Sequence, residues 1–332
     1  MKSLTQNQLV KIGGLLGVAY GIFARFMFGL HAAGSAGFAV MTLSFIFGMP
    51  IALGFITVWF GEYRQSFGWA RRVLMPWVAS LTFLACCLAL AWEGMICIVL
   101  LLPLILILSS VGGILAWMIK PLFKTDRSKS YCVVIFALLP FLAAPIENLR
   151  KIDSEIRIVQ TQIDIRADKR TVWNQIRSVP RIREEEHFFD ASHLMGFPRP
   201  IEARLVGQGV GAVRYATFEK GVLFVETITE WKEGEQLSFS IHADTKGIPS
   251  TTFDEHVKVG GPYFDVLRGT YRIEDLGNGI VRLHLSSAQR LSTRFNFYSH
   301  LWTEYLMADL QNYILKIIKN RCETSTLRPE KS

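Results

Sequence analysis

The sequence has few cysteines and no pattern that would pair them in a folded domain. Of its five cysteines, four fall in long apolar segments and one, Cys322, falls near the C-terminus. A disulfide framework of the kind that holds small secreted domains together is therefore excluded. The N-terminus also lacks a short apolar segment followed by a small-residue cleavage site, so we expect it to be retained.

The second half of the chain lacks an excess of either charge. Residues 1–146 contain ten Lys and Arg against three Asp and Glu, whereas residues 147–332 contain 26 against 25. Nucleic-acid binding requires a one-sided basic surface, so we expect no nucleic-acid partner. Nearly all of the net charge of +8 belongs to loops between apolar segments, which is typical of the cytoplasmic side of membrane proteins.

Sequence signatures of catalysis are also missing. No Gly-x-Ser-x-Gly segment is present, and the three glycines within residues 207–211 precede a predicted strand, not the helix that a phosphate-binding loop requires. Glu186, His187, Asp190 and His193 have a spacing that could supply metal ligands, but charged residues in such a loop are more often solvated. We therefore expect neither a metal nor a cofactor.

What the first half does contain is apolar sequence of membrane-spanning length, since a bilayer core needs about 20 helical residues. Five segments are predicted to form helices: residues 10–30, 37–60, 73–92, 94–119 and 131–146. The fifth is shorter and contains Pro140 and Pro145, which leaves open a tilted span, a re-entrant hairpin or an interfacial helix.

The loop charges predict an orientation for these spans. Lys and Arg precede the first span and follow the second and the fourth, so we expect a cytoplasmic N-terminus. Five crossings then place the second half of the chain outside the cytoplasm, although Arg150, Lys151 and Arg157 argue for the opposite side. The expectation is an integral, multi-pass protein of the bacterial inner-membrane kind.

The first span carries a stripe of glycines. Gly13, Gly17 and Gly21 recur every four residues and predict close packing against another helix. Arg25 continues the stripe, and we expect it either to pair with Glu93 or to reach the membrane surface without a partner. The spans lack the acidic or histidine ladders of ion pathways, so their predicted role is to anchor the chain or to bind a lipid or a protein partner.

From residue 154 onward the apolar residues alternate, which predicts half-buried antiparallel strands. A short helix is predicted at 168–177, with Asp168 as its N-cap and Val172, Trp173 and Ile176 as its buried stripe, and a long amphipathic helix at 293–320. The predicted strands are residues 155–165, 201–206, 212–219, 222–231, 237–243, 265–274 and 280–287.

Four stretches of this half resemble a known superfamily. They are IRADKRTVWNQI at 165–176, GQGVGAVRY at 207–215, VETITEWKEGEQLSF at 225–239 and RGTYRIEDLGNGIVRL at 268–283. They are similar to the helix-grip superfamily, also called START-like, Bet v 1-like or SRPBCC, and in particular to its polyketide cyclase/dehydrase-type members. The resemblance covers about residues 154–322; the segment 180–200 is longer and more charged than is usual in the family.

The resemblance implies an α+β fold in which a curved antiparallel sheet wraps around the long C-terminal helix, with a cavity for a hydrophobic ligand between them. The alternation of apolar residues along the strands agrees with an apolar inner face. The same residues would equally serve a solid core. The side chains expected to line the cavity are Tyr215, Leu237, Phe239, Ile241, Tyr271, Leu283 and Leu285 from the sheet, and Phe297, Leu301 and Tyr305 from the helix.

These inferences predict a transmembrane helical domain at 1–146, a tether at 147–153, a helix-grip domain at 154–322 and a disordered tail at 323–332. The expected function is binding of a lipid or another hydrophobic small molecule, at a bilayer, without chemical change. Two alternatives remain open: a cyclase or dehydratase acting on a hydrophobic substrate, and a protein-interaction module. The catalytic candidates for the enzyme are Glu226, His300 and Glu304, since burial of an ionisable group shifts its pKa toward the neutral form.

Overall fold

The computed structural model describes residues 5–30, 39–62, 66–123, 125–244, 256 and 258–327. The chain divides into two compact units, Met1–Ile152 and Asp153–Ser332. We call them the helical unit and the sheet unit. The basic loop residues Lys2, Arg64 and Lys124 and the predicted loop at 31–36, on which the orientation partly depends, lie outside the described residues.

The helical unit contains five long helices. They are α1 (Gln6–Gly29), α2 (Met49–Gly61, preceded by one π-helical turn, Ser44–Gly48), α3 (Trp69–Ala89), α4 (Met95–Ile119) and α5 (Asp126–Asn148). All five are long and apolar enough to cross a membrane. The fifth is a continuous helix of 23 residues despite its two internal prolines.

Successive helices of this unit run in opposite directions. The side-chain amide of Gln6, at the start of α1, donates to the carbonyl of Gly61 at the end of α2. At the other end of the unit, the carboxylate of Glu147, near the end of α5, accepts hydrogen bonds from the backbone N–H and the hydroxyl of Ser44 at 2.9 and 2.8 Å. Because Glu147 caps the turn that opens α2, the last helix ends beside the beginning of the second.

Glycines set the distances between these helices. An added Cβ at Gly13 would lie 2.5 Å from the carbonyl oxygen of Thr57, and one at Gly17 would overlap the Thr57 hydroxyl. The close packing predicted for the glycine stripe is therefore confirmed, with α2 as the partner. Gly54 of α2 and Gly112 of α4 make an even closer crossing, where an added Cβ would overlap a backbone carbonyl of the facing helix.

Two ion pairs with little solvent exposure lie at opposite ends of the helical unit. The predicted pair is confirmed: Arg25 Nε lies 2.5 Å from Glu93 Oε1, and the same guanidinium donates to the carbonyl of Trp92. The second pair, which the sequence analysis did not predict, joins Arg72 and Glu62 at 2.6 Å. Arg25 of α1 pairs with Glu93, which directly precedes α4, and Arg72 of α3 pairs with Glu62, which directly follows α2. Each pair fixes how two helix ends meet.

The sheet unit is an α+β helix-grip fold, as expected. Its seven strands form one antiparallel sheet in the order β1-β7-β6-β5-β4-β3-β2. The strands are β1 (Glu155–Ile165), β2 (Pro200–Val206), β3 (Val213–Phe218), β4 (Leu223–Lys232), β5 (Gln236–Asp244), β6 (Phe264–Gly277) and β7 (Ile280–Leu291); the helices are α6 (Lys169–Arg177), α7 (Ala191–Leu194) and α8 (Asn296–Leu327).

Local sequence explains the boundaries of α6. Asp168 adopts an extended conformation and its carboxylate accepts from the backbone N–H of Thr171 at 2.8 Å, as an N-cap does. Val172, Trp173 and Ile176 are buried, as their spacing predicted. One expectation is wrong: residues 323–327 continue α8 and are not a tail, because the helix extends to Leu327. Residues 328–332 lie outside the described part.

The long helix α8 packs chiefly on β1 and β7 at one side of the sheet, and on α6 and α7. Its buried residues include Leu315, Ile318 and Cys322, which join the apolar core formed by the sheet and α6. Gln311 connects the same face of α8 to the strands, since its amide nitrogen donates to the carbonyl of Val159 and to the hydroxyl of Ser287. The helix is thereby held along the β1 side of the sheet.

Candidate functional site

The strand register identifies the side chains that share the inner face of the sheet. Arg214 of β3 is opposite Glu226 of β4, and Glu226 is opposite Ile241 of β5. Further along the sheet, Phe239 is opposite Gly269. Directly opposite residues of an antiparallel pair lie on the same face, so a buried arginine and a buried glutamate lie on a face that is otherwise largely apolar.

Arg214 is the centre of this polar group. Its Nε donates to Glu226 Oε2, its Nη1 donates to the carbonyl of Ile176 at 2.6 Å, and its guanidinium lies 4.5 Å from the centre of the Phe239 ring. The guanidinium also interacts with the Tyr271 hydroxyl and lies 5.6 Å from that ring. We call Arg214, Glu226 and Tyr271 the interior polar triad.

Burial decides the ionisation of the triad. Arg214 is 3 % exposed and Glu226 is 4 % exposed. Burial raises the pKa of the Glu226 carboxyl, and the Arg214 guanidinium acts against that effect. Burial likewise raises the pKa of the Tyr271 hydroxyl. The triad therefore combines a guanidinium, a carboxyl group whose pKa is raised by burial and lowered by that guanidinium, and a phenol whose pKa is raised by burial, inside an apolar interior.

Gly269 allows the stacking of Phe239. An added Cβ at this position would lie 2.5 Å from Cε2 of the Phe239 ring. The ring thus lies directly over the glycine on one strand while its own strand places it near the Arg214 guanidinium. A residue with any side chain at 269 would displace the ring.

Most of the sheet residues predicted to line a cavity do come together. Leu237, Phe239, Tyr271, Leu283 and Leu285 are buried members of one core cluster. At this end of the sheet they pack against α6 and the second half of α8, so they form a solid core. Ile241 borders the same cluster and is only half-buried.

Tyr215 lies on the wrong face for a lining residue. It is opposite Val225, which in turn is opposite His242, and His242 alternates with the inward Ile241. Placing Tyr215 inward was a one-residue error in register, and such an error moves a neighbouring residue to the opposite face. Because of this error, the sequence analysis did not identify Arg214, whose side chain faces inward. Glu226, a charged residue on the neighbouring strand, was the signal that could have identified Arg214 as its partner.

The three predicted lining residues of α8 are not in the interior. Phe297, Leu301 and Tyr305 are 62, 57 and 51 % exposed. Phe297 and Leu315 are 18 residues apart, which is five helical turns, so they lie at about the same angle around α8. The core cluster takes its α8 residues, Leu315, Ile318 and Cys322, from the second half of the helix, and the predicted stripe lies in the first half.

Of the three candidate catalytic residues, Glu226 alone is fully buried. His300 is half-buried and its Nδ1 lies 3.2 Å from the carbonyl oxygen of Asn296. Glu304 is exposed. The hydrogen bonds of the triad that have been described involve the sheet and α6, and none of them involves His300 or Glu304.

Side chains of the charged segment 180–200 contact α8. Glu186 pairs with Arg321 at 2.6 Å, His187 Nδ1 hydrogen-bonds the Tyr313 hydroxyl, and the Ser192 backbone N–H donates to Asp309 at 2.9 Å. Asp190 N-caps α7 by accepting from the backbone N–H of His193. Burial lowers the pKa of the His193 imidazole. These side chains hold the segment against the helix.

Comparisons with solved structures match about half of this chain. No family model matches the chain, and no curated protein does. Solved structures that are similar include a START superfamily protein from Mycobacterium smegmatis (10 % identity, 50 % of this chain and 97 % of that one, TM-score 0.34), the Zhui aromatase/cyclase from Streptomyces sp. R1128 (12 %, 52 % and 96 %, TM-score 0.35) and a truncated norcoclaurine synthase from Thalictrum flavum (14 %, 51 % and 97 %, TM-score 0.31). Identities this low leave the ligand and any chemistry to be argued from the residues of this chain.

Proposed function

We propose that this chain is an integral membrane protein whose sheet unit binds a lipid or another hydrophobic small molecule between the sheet and α8, without changing it chemically. The observation that carries the proposal is the partial exposure of apolar side chains that face inward. Ile241 of β5 and Ile314 of α8 both pack against the core cluster, yet both are only half-buried. Inward-facing apolar side chains that stay partly exposed leave apolar surface that an apolar ligand can cover.

The position of α8 supports the same proposal. The helix packs chiefly on β1 and β7, at one side of the sheet. The apolar inner face continues beyond those strands to Ile241 of β5, which is only half-buried, so part of this face extends past the helix. A hydrophobic molecule would remove that remaining surface from water, at about 25 cal/mol per Å² of apolar area.

Apolar side chains on the outside of the helical unit support the membrane assignment. Leu15, Val78, Ile107 and Leu142 are each more than 60 % exposed. They lie on four different helices, each long enough to cross a bilayer. In water such surfaces would drive aggregation, whereas lipid tails solvate them.

The internal contacts of the helical unit also favour five crossings. The end of α5 lies beside the beginning of α2 through Glu147 and Ser44, at the end opposite to Gln6. A chain that enters at one end and leaves at the other crosses an odd number of times. With basic loops on the cytoplasmic side, residues after α5 lie outside the cytoplasm.

Binding of an apolar probe to the full-length protein in lipid nanodiscs tests the proposal. We expect N-phenyl-1-naphthylamine fluorescence to increase with a stoichiometry of one per chain above empty nanodiscs. Ile241→Trp, which fills the inward surface, should weaken probe binding by about tenfold, or about 1.4 kcal/mol. His242→Trp adds the same side chain to the opposite face of β5 and should leave binding unchanged. Equal binding by both variants and the wild type would contradict the proposal and favour a protein-interaction module.

The interior polar triad favours one alternative, an enzyme of the cyclase or dehydratase kind. A carboxyl whose pKa is raised by burial is suited to donate a proton, and Glu226 has that property beside a neutral Tyr271. Extraction of the purified protein would show which compounds co-purify. If those compounds turn over, and turnover is lost in Glu226→Gln but kept in the exposed Glu304→Gln control, the enzyme replaces the binding protein. Co-purification without turnover supports binding.

A further inference from the structure

Two buried glutamines on the inner side of the sheet unit differ in one respect. Gln311 of α8 is 2 % exposed and its amide is fully engaged, since its oxygen accepts from Thr161 at 2.9 Å and its nitrogen donates to Val159 and Ser287. Gln289 of β7 is 1 % exposed. Within the part of the chain that the structure describes, neither its amide nitrogen nor its amide oxygen has a hydrogen-bond partner.

The register places Gln289 on the inner face. Leu285, Ser287 and Gln289 are every second residue of β7, so all three lie on the side that faces α8. Gln289 is opposite Val266 of β6. Ser287, the neighbouring inward position, is covered by Gln311. Gln289 therefore lies next to the position that Gln311 binds. It is displaced from that position toward the N-terminal end of α8.

An unsatisfied buried amide is costly, because both of its polar atoms have lost water without gaining a partner. Native proteins rarely leave both atoms of one side chain in this state. A leucine would fill a similar volume without that cost. The polar side chain is explained if a bound molecule supplies the missing donor and acceptor.

We propose that Gln289 is the polar anchor of the ligand site and that it binds, through both atoms of its amide, a hydrophobic molecule bearing a neutral carboxamide or undissociated carboxylic acid. This inference rests on the proposed ligand-binding function. The complementary ligand group must have a donor and an acceptor side by side, which these two groups have. It must also be neutral, because Val266 is opposite Gln289 on β6, and the guanidinium of Arg157, which is opposite Gln289 on β1, already pairs with Glu155 at 2.5 Å.

The test compares three ligands with matched hydrocarbon chains: oleamide, methyl oleate and 1-octadecene. Each is titrated against full-length protein in nanodiscs preloaded with N-phenyl-1-naphthylamine. We expect the wild type to bind oleamide about tenfold or more tightly than 1-octadecene, with methyl oleate between them, since oleamide alone offers both a donor and an acceptor. Gln289→Leu should remove that preference by weakening oleamide binding, while 1-octadecene binding stays within about twofold of the wild type.

Thermal unfolding of the same proteins separates an anchor from a structural residue. Gln289→Leu should raise the unfolding midpoint of the ligand-free protein, because it removes an unpartnered amide. The control, Gln311→Leu, should lower the midpoint and keep the oleamide preference, because it breaks described hydrogen bonds away from the anchor. A lowered midpoint or an unchanged oleamide preference in Gln289→Leu would overturn the proposed role of Gln289 but not the proposed ligand-binding function. Failure of all three ligands to displace the probe from the wild type would overturn the proposed function itself.

Discussion

In the helical unit, glycines lie where two helices cross, and at Gly54 and Gly112 an added Cβ would overlap the backbone of the facing helix. In the sheet unit, Gly209 and Gly234 lie in turns with positive φ and have open space around them. The same residue is thus used for close approach in one unit and for backbone conformation in the other. The difference shows that substitution at a glycine has different physical consequences in the two units.

Buried ion pairs differ between the units in a similar way. Arg25–Glu93 and Arg72–Glu62 lie at helix ends, where they fix how the ends of the helical unit meet. Arg214–Glu226 lies in the middle of two strands, on a largely apolar face. The Arg25–Glu93 pair keeps some exposure at the helix end, whereas the pair between strands depends wholly on its protein partners. We therefore expect unequal effects when the pairs are broken.

The largest effect is expected in the sheet unit. Glu226→Leu should lower its unfolding free energy by about 3 to 5 kcal/mol, because it leaves the Arg214 guanidinium buried and unpaired. The double variant Arg214→Met/Glu226→Leu should recover most of that loss, since two apolar side chains then fill the space. Chemical denaturation of the full chain, followed by tryptophan fluorescence, measures both values. A double variant as unstable as the single one would show that the pair is needed for folding in its own right.

The next effect concerns the crossing of α2 and α4. Gly54→Ala should destabilise the helical unit by about 3 kcal/mol, because backbone atoms must separate to admit the methyl group. Gly14→Ala is the matched control, since nothing lies within 4 Å of an added Cβ there. It should be neutral or stabilising by up to about 1 kcal/mol. The monodisperse fraction on size-exclusion chromatography after heating reports both; equal behaviour would contradict the close crossing.

A smaller effect is expected at the end of the helical unit. Arg25→Glu should cost about 2 kcal/mol by placing two carboxylates together, and the charge-swapped variant Arg25→Glu/Glu93→Arg should regain about half of it. Only partial recovery is expected, because the Trp92 carbonyl also binds the native arginine. Expression and thermal stability in detergent measure the series. If the swap rescues nothing, the pair does not hold the helix ends together.

The smallest effect is a dependence on pH in the sheet unit. The hydrogen bond from Arg321 lowers the pKa of Glu186 from 4.5 to about 2. A lowered folded-state pKa stabilises the fold above the unfolded value and loses that contribution as the pH falls toward about 2. Between about pH 6 and about pH 3 the wild type should lose about 1 kcal/mol more stability than Glu186→Gln, after allowance for solvent screening. Parallel pH curves for the two proteins would exclude the coupling.

The elements of both units were predictable because each follows from a local pattern. The alternation at 155–165 and the Asp168 cap fixed β1 and the start of α6, and apolar length fixed the five helices. The Arg25–Glu93 pair was also predictable from the sequence, since two charged residues in apolar segments have few possible partners.

The interior of the site was less predictable, because it depends on register and on distant partners. One residue of register separates Tyr215 from Arg214, and the β3 sequence alone does not fix which of them faces inward. The exposure of Leu301 and Tyr305 depends on where α8 meets β1 and β7. The contrast between Gln289 and Gln311 depends on three residues of β1 and β7, which no spacing in α8 reveals.

Gly269 has a consequence for how relatives of this chain can be sorted. Its missing side chain admits the Phe239 ring, and the ring covers one side of the Arg214 guanidinium. A chain with alanine at this position must turn the ring aside, and the cation would then face the interior directly. The residue at position 269 therefore decides whether this side of the guanidinium is covered by an aromatic ring.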